Sequence, residues 1–448
     1  MADTRRSPRA ERRAEVVVDA VARALVEHAA SDAATAVAIS GGRDSVALLH
    51  AACEVARERI VAIHVHHGLS THADEWTTFC EDLASTLGVP FLIRRVEVER
   101  SDPRGIEAAA RDSRYAALRE AAREVGASTI LLAHHQDDQA ETLLLQLGRG
   151  AGPHGLASMP RCRDENGIRW MRPLLEVPRA AIEAFVRGRG LAHIEDDSNV
   201  AIKHRRNALR HQLVRPLTQT FPGYPATFAR AATLQAETSL LLDELAELDA
   251  TDLIVDGALD RRGLAALSPP RARNLLRHFL RLHGLRAPSL ARLTAMQRQL
   301  CAARPDSRVE LVHEAAAIGV YRGRVFLHAQ APRHFEARWR GESLLALPHG
   351  ALHFTPATGE GLAQAITQRE IVVRPRNGGE RLALAANRPR RALKAWLQEM
   401  GMPPWQRSAL PLVYCDGELA VVPGLGTDIA FVAKPGAPGL RIEFRPTV

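Results

Sequence analysis

The chain has 448 residues, 46% of them hydrophobic and 25% charged, with a net charge of +8; this is ordinary globular composition spread over more residues than one core usually organises. No apolar run approaches the roughly 20 residues of a membrane span, and no apolar segment follows the basic N-terminus, so neither a membrane protein nor a secretory leader is expected. Five cysteines, Cys53, Cys80, Cys162, Cys301 and Cys415, form no CxxC pair, which excludes the common zinc and iron–sulfur spacings and fits a reducing cytoplasm.

From Thr35 to Gly148 strands and helices alternate. TAVAIS (35–40) reads as a buried strand, DSVALLHAACEVARE (44–58) as a helix and RIVAIHVHHG (59–68) as a second strand. A helix starting near His72 precedes the strand PFLIRRVEV (90–98). A helix from Gly105 to about Val125 precedes ASTILLAHH (127–135), and DDQAETLLLQLGR (137–149) is helical again. The alternation predicts an α/β domain, a parallel sheet with helices on both faces. Ligands of such sheets lie outside the carboxyl ends of the strands. Ser40, His64 to His67 and His134 to Asp138 all fall there, so one site built from three separate stretches is expected.

The character changes past Pro216, which sets a first domain at 1–217. Residues 218–330 read as a helical middle domain, acidic first and basic later. Residues 331–448 hold frequent Pro and Gly with short strands, and read as a small α+β domain entered through a linker near 330–370. Residues 374–407 carry eight Lys/Arg against Glu380 and Glu399. With Trp396 and Trp405 close by in sequence, that surplus suits a nucleic-acid surface.

A strand, then Ser40-Gly41-Gly42-Arg43-Asp44-Ser45, then a helix makes a phosphate cradle: glycines let backbone N–H groups approach an anion, and the helix N-terminus adds partial positive charge. A Walker A loop needs a lysine before its Ser/Thr, and the first lysine here is Lys203, so that alternative is excluded. Asp44 among phosphates either caps the helix or holds a Mg²⁺ that bridges carboxylate and phosphate oxygens. Further on, Asp137 and Glu141 lie four apart on one helix face and Asp138 begins the neighbouring row. Acidic residues also favour a helix N-terminus through its dipole. The histidines of HVHH alternate between opposite sides of a strand, so zinc is not expected; phosphate, ribose or substrate contacts suit them better.

SGGRDS resembles the SGGxDS signature of the PP-loop ATP pyrophosphatases, which split ATP between its α and β phosphates. HVHHGLSTHADEW (64–76), GIEAAARDSRYAAL (105–118), LLAHHQDDQAETLLLQLGRGAGPHGLASM (131–159), RPLLEVPRAAIEAF (172–185), IEDDSN (194–199) and RNALRHQLVRPL (206–217) follow in order. With the C-terminal RPRNGGERL and RALKAWLQEMGMPPWQRSALPLVY, they resemble the tRNA(Ile)-lysidine synthetase family over most of the chain. Between Asn199 and Arg206 the chain departs from that family's pattern, with Ala201, Ile202, His204 and Arg205 where acidic residues and a tyrosine are usual.

The resemblance implies a cytoplasmic ligase that joins free L-lysine to C2 of the wobble cytidine of a tRNA(Ile) with a CAU anticodon. The reaction runs through an adenylated base and releases pyrophosphate and AMP. It implies ATP and Mg²⁺ as cofactors, with ATP bound by Ile39, Ser40, Gly41, Gly42, Asp44, Ser45, His64, His66 and His134, and the metal on Asp44. The implied catalytic residues are Asp44, Arg111, Asp137 and Glu141, with Asp137 and Glu141 also receiving lysine. The implied tRNA contacts are Arg206, Asn207, Arg210, Arg374, Arg376, Arg390, Arg391 and Lys394, and a homodimer stays open. A base thiolase of the same superfamily would need paired cysteines, and a non-catalytic tRNA-binding protein would not need an intact loop.

Overall fold

Thr35–Ile39 (β1) alternates its side chains across the sheet: Val37 and Ile39 enter one apolar cluster, Ala36 the other. Arg43–Ala56 (α2), Ile60–His66 (β2), Ala73–Leu87 (α3), Phe91–Arg95 (β3), Ile106–Glu124 (α4), Thr129–Leu131 (β4) and Gln136–Leu147 (α5) then follow in the expected alternation. Pro8–His28 (α1), Pro153–Leu156 (α6), Cys162–Glu165 (β5), Ile168–Met171 (β6) and Arg179–Gly188 (α7) complete the sheet and its cover. The structure is a computed structural model; residues 8–28, 33–68, 70–99, 101–102, 105–195, 205–303, 309–330 and 334–446 are described. Most of IEDDSN and the departure before Arg205 lie outside them.

The six strands run in the order β3-β2-β1-β4-β6-β5. All neighbours pair in parallel except the β5–β6 hairpin. Both faces are covered. On one, Val17, Val21 and Leu25 of α1, Leu48 and Leu49 of α2 and Phe185 of α7 meet Val37, Ile60 and Met171. On the other, Ala117, Leu118 and Ala121 of α4 pack on Ile63, Ile130 and Trp170. Burial on both faces is why these strands read as continuous apolar runs. The β5–β6 hairpin escapes sequence reading because each strand has four residues and β5 is half solvent-exposed.

By Cα packing the chain divides into residues 1–241 and 242–448. The division falls within the 30-residue helix Tyr224–Leu253. The second unit corrects two expectations. Its first part is helical at Pro269–Leu282 and Leu290–Ala302, but it also folds a five-stranded antiparallel sheet of Ile254–Val255, Ala258–Asp260, Arg324–Ala329, Ala316–Tyr321 and Glu310–His313. These strands have two to six residues, too few for a period to declare itself. Likewise, the stretch expected as a linker holds Ala337–Trp339, Leu344–Leu347 and Gly350–Thr358, paired into two further sheets.

Gly41 fixes the turn out of β1. It sits at φ +81°, and a Cβ there would lie 2.4 Å from Cδ1 of Ile194, whose N–H donates to the Gly41 carbonyl at 2.9 Å. Gly41→Ala is therefore expected to cost about 1–3 kcal/mol from backbone strain and overpacking. Denaturant unfolding measures it, and a stability equal to wild type would show that the turn tolerates a side chain.

Candidate functional site

The glycine loop is held from within. Ser45 Oγ donates to the Gly42 carbonyl at 2.8 Å and accepts from the Ser40 N–H at 3.2 Å. These bonds hold the loop's shape before any ligand arrives, at the N-terminus of a 14-residue helix where the macrodipole favours anions. Behind it, His64 is buried on β2 opposite Ile39, and its Nδ1–H donates to the Ile39 carbonyl at 2.9 Å. His64 thus braces the strand end from which the loop departs.

The three predicted stretches do meet. His135, at the end of the β4 segment, places Nε2 3.6 Å from Asp44 and 3.6 Å from Asp138, and Nδ1 3.9 Å from Asp137. It is 4% exposed. Burial alone would lower its pKa, but Asp44 and the charges of Asp138 and Asp137 raise it above the usual 6.5. Burial likewise would raise Asp44; His135 and Arg43 outweigh that and hold its carboxyl below the usual range. Asp138 also caps α5, accepting the His135 backbone N–H at 3.1 Å.

Arg206 and Arg210 complete this cluster from Arg205–Leu209 and the π-helical turn Arg210–Val214 that follows. Arg206 Nε donates to Glu141 at 2.7 Å and Nη2 to Asp138 at 2.8 Å. Arg210 Nε donates to Glu141 at 2.6 Å and Nη2 to Asp138 at 3.3 Å. The i, i+4 spacing aims both guanidiniums at the same two carboxylates. Glu141, expected to receive lysine, is 5% exposed and bonded to both arginines. Arg206 and Arg210, expected on tRNA, turn inward, and Asn207 is buried beside them. Asp137 forms no guanidinium ion pair among the described residues, although the backbone N–H and charge of Arg179 act on it; burial outweighs them and holds its carboxyl above the usual range.

Of the remaining expected residues, His66 pairs with Asp74 at 3.2 Å. His134 is half-buried, and desolvation with neighbouring arginines pushes its pKa down. Arg111 is exposed and lies over the Tyr115 ring at 5.2 Å. Arg43 reaches Asp44 at 3.0 Å and Glu183 at 2.8 Å. Sequence reasoning placed His135 in the predicted His134–Asp138 stretch without giving it a role of its own, and passed over Arg172. The signal for His135 was its position one residue before the acidic helix; for Arg172 it was the end of a strand too short to be noticed.

In the second unit, Arg374 stacks on Tyr414 at 4.1 Å, Arg376 bonds Glu380 at 3.0 Å, and Arg390 pairs with the fully buried Asp428 at 3.1 Å. Arg391 pairs with Glu399 and lies 5.1 Å from the Trp396 ring centroid. Lys394 is exposed. Trp405 is a packing residue: it stacks on His328 at 4.6 Å and fills the space above Gly319.

Among the described residues no three His, Cys, Asp or Glu side chains form a group able to hold a metal alone. A Mg²⁺ shared with phosphates needs only one or two carboxylates, and an ionised Asp44 beside an anion loop fits that demand. No described helix is long and apolar enough to cross a membrane.

Two outcomes test the cluster. In a double-mutant cycle of Arg206→Ala and Glu141→Gln, urea unfolding should give a coupling of about 1–3 kcal/mol; additive losses would dissolve the pair. Because the folded pKa of His135 is raised, its stabilisation is complete below its unfolded value and fades as pH rises through the folded one. The stability gap between wild type and His135→Gln should therefore be full below the unfolded value of about 6.5 and shrink as pH rises above it. A gap that stays constant would mean that His135 is not held charged.

Comparison with known proteins follows this geometry. A PP-loop domain model matches residues 14–217, a TilS substrate binding domain model 259–326 and a TilS substrate C-terminal domain model 371–444. A tRNA(Ile)-lysidine synthase of Ralstonia nicotianae is 42% identical over 97% of this chain and 98% of its own length. One of Nitrosomonas europaea is 40% identical over 92% of each, and one of Coxiella burnetii 34% identical over 92% of this chain and 93% of its own. Among solved structures, a U34-tRNA thiolase from Methanococcus maripaludis aligns with a TM-score of 0.43 at 14% identity, covering 51% of this chain and 80% of that one. A glycine loop and an acidic helix that meet at one sheet end, identity near 40% across nearly the whole length, and three matching domain models agree: the chain belongs to the tRNA(Ile)-lysidine synthase family of PP-loop enzymes.

Proposed function

We propose that the chain ligates free L-lysine to C2 of the wobble cytidine of a tRNA(Ile) with a CAU anticodon, driven by ATP cleavage to AMP and pyrophosphate. The observation that supports this most is the 3.6 Å approach of His135 to Asp44, which sets the acidic start of α5 against the phosphate loop. A nucleotide and an ammonium-bearing substrate thereby share one sheet end. The loop from Ile39 to Ser45 cradles the phosphates through its N–H groups and hydroxyls. Asp44 holds Mg²⁺, and the bound ion supplies charge neutralisation on phosphate oxygens. His66 and His134 line the nucleotide, and Arg111 meets charge on the α-phosphate.

In the first step the cytosine C2 oxygen attacks the α-phosphorus and pyrophosphate leaves. In the second, the ε-amine of lysine attacks C2 and AMP leaves. Asp137 receives the ammonium group, because its carboxylate is the one without a guanidinium partner. Its raised pKa makes it a better proton acceptor from the attacking amine than a solvated aspartate. Glu141 takes part through Arg206 and Arg210, exchanging an arginine for lysine or holding the pair in place. Residues 1–217 carry the chemistry, 218–330 form the middle domain, and 331–448 hold the tRNA body through Arg374, Arg376, Arg390, Arg391 and Lys394. The setting is the cytoplasm, where five free thiols persist.

Labelled lysine should enter an unmodified CAU-bearing tRNA(Ile) in the presence of ATP and Mg²⁺, but not a GAU-bearing one. Asp44→Asn should abolish the transfer, and Asp137→Asn should raise the KM for lysine by about tenfold, the loss of one charged hydrogen bond. AMP release without lysine transfer would leave the nucleotide site standing and the substrate wrong.

A further inference from the structure

Arg172 follows directly after β6, at the carboxyl end of the sheet, beside the strand that leads to His134. It is 4% exposed, yet among the described residues no carboxylate pairs with it. Its Nη1 donates to the Pro160 carbonyl at 2.8 Å, and its Nε is buried with no partner. Arg114 of α4 also has no acidic partner among them, and lies 5.9 Å from the centroid of the Tyr115 ring. Tyr115 packs on Trp170, the residue two before Arg172, with ring centroids 4.7 Å apart and planes tilted by 41°, and its hydroxyl accepts from Arg111 Nη2 at 3.4 Å. His134 Nδ1 and His67 Nδ1 are buried without partners as well.

Cations gathered away from water without counter-charges are unfavourable. Desolvation lowers the pKa of Arg114 and of Arg172; Tyr115 offsets part of this in each, and the neighbouring Arg111 adds to it. The same unit shows how it satisfies arginines when it does so internally: Arg206 and Arg210 grip Asp138 and Glu141. Around Tyr115 no such carboxylate pair is found among the described residues, which leaves room for a ligand to bring the counter-charge. Guanidiniums that present several N–H donors in fixed directions match a tetrahedral oxyanion.

We infer that Arg114 and Arg172, on either side of Tyr115, form a phosphate subsite separate from the glycine loop. Both ATP and RNA offer phosphates. β6 lies two strands from β1 in the sheet order, so Arg172 is roughly 10 Å from the loop along the sheet edge. That offset favours a phosphodiester of the RNA strand next to the base being modified. The RNA's identity rests on the function proposed above; the subsite does not.

The test uses the full chain with Arg172→Gln, Arg172→Lys and Arg114→Gln. It reads filter binding of tRNA without ATP, and the KM for ATP and for tRNA in lysine transfer. An RNA phosphate predicts that the Gln variants weaken tRNA binding by about tenfold and flatten its salt slope by about one charge. In that case the KM for ATP is unchanged and Arg172→Lys recovers part of the loss. A raised KM for ATP with unchanged tRNA binding assigns the same subsite to ATP. Folded Gln variants that bind both ligands as wild type overturn the inference. So does an Arg172→Lys protein that melts as early as Arg172→Gln and recovers nothing, since Arg172 then serves packing alone. A wild type that binds tRNA but transfers no lysine refutes the proposed reaction while the binding arm still reads the subsite.

Discussion

Four carboxylates, Asp44, Asp137, Asp138 and Glu141, converge at one end of a parallel sheet, and the rest of the site depends on how their mutual repulsion is relieved. Three of them belong to a single helix start, where the dipole helps but does not neutralise. His135 stands between Asp44 and the two aspartates, while Arg206 and Arg210 take Asp138 and Glu141. Asp137 is left with a raised pKa. A site that must receive a cationic amine beside polyphosphate therefore keeps one carboxylate in reserve and binds the others internally.

A second group of charges, cationic and without a paired carboxylate among the described residues, lies farther along the same sheet end. The anion loop and its carboxylates lie at β1 and β4, while Arg172 follows β6 and Arg114 lies over Tyr115. Uncompensated burial of guanidiniums is costly in a ligand-free protein, and the same charges become favourable once phosphate fills the space. Function and stability thus oppose each other around Tyr115, as they commonly do at binding sites. In the second unit the surplus of arginines is partly spent on local order: Arg376, Arg390 and Arg391 each hold a carboxylate.

Much of the catalytic half was legible from residues alone, for a physical reason. Strands buried on both faces must be apolar throughout, and a loop that approaches phosphate must be small, so TAVAIS and SGGRDS announce themselves locally. The resemblance of nine blocks to one enzyme family named the chemistry. The middle of the chain was less legible. Its strands are too short to show a period, and its helices, with long apolar faces such as Leu275, Leu276 and Phe279, dominate the pattern.

What the sequence by itself determined is the order of elements, the phosphate loop, the acidic helix start and membership of a family, because each is written within a few neighbouring residues. What only the tertiary structure decided is pairing. Arg206 meets Glu141 across 65 positions of chain and Arg210 meets Asp138 across 72. Trp405 becomes a packing residue on His328, and Arg172 a buried cation without a counter-charge. A side chain's partner depends on which strand ends the sheet brings together, and no local pattern in the sequence carries that information.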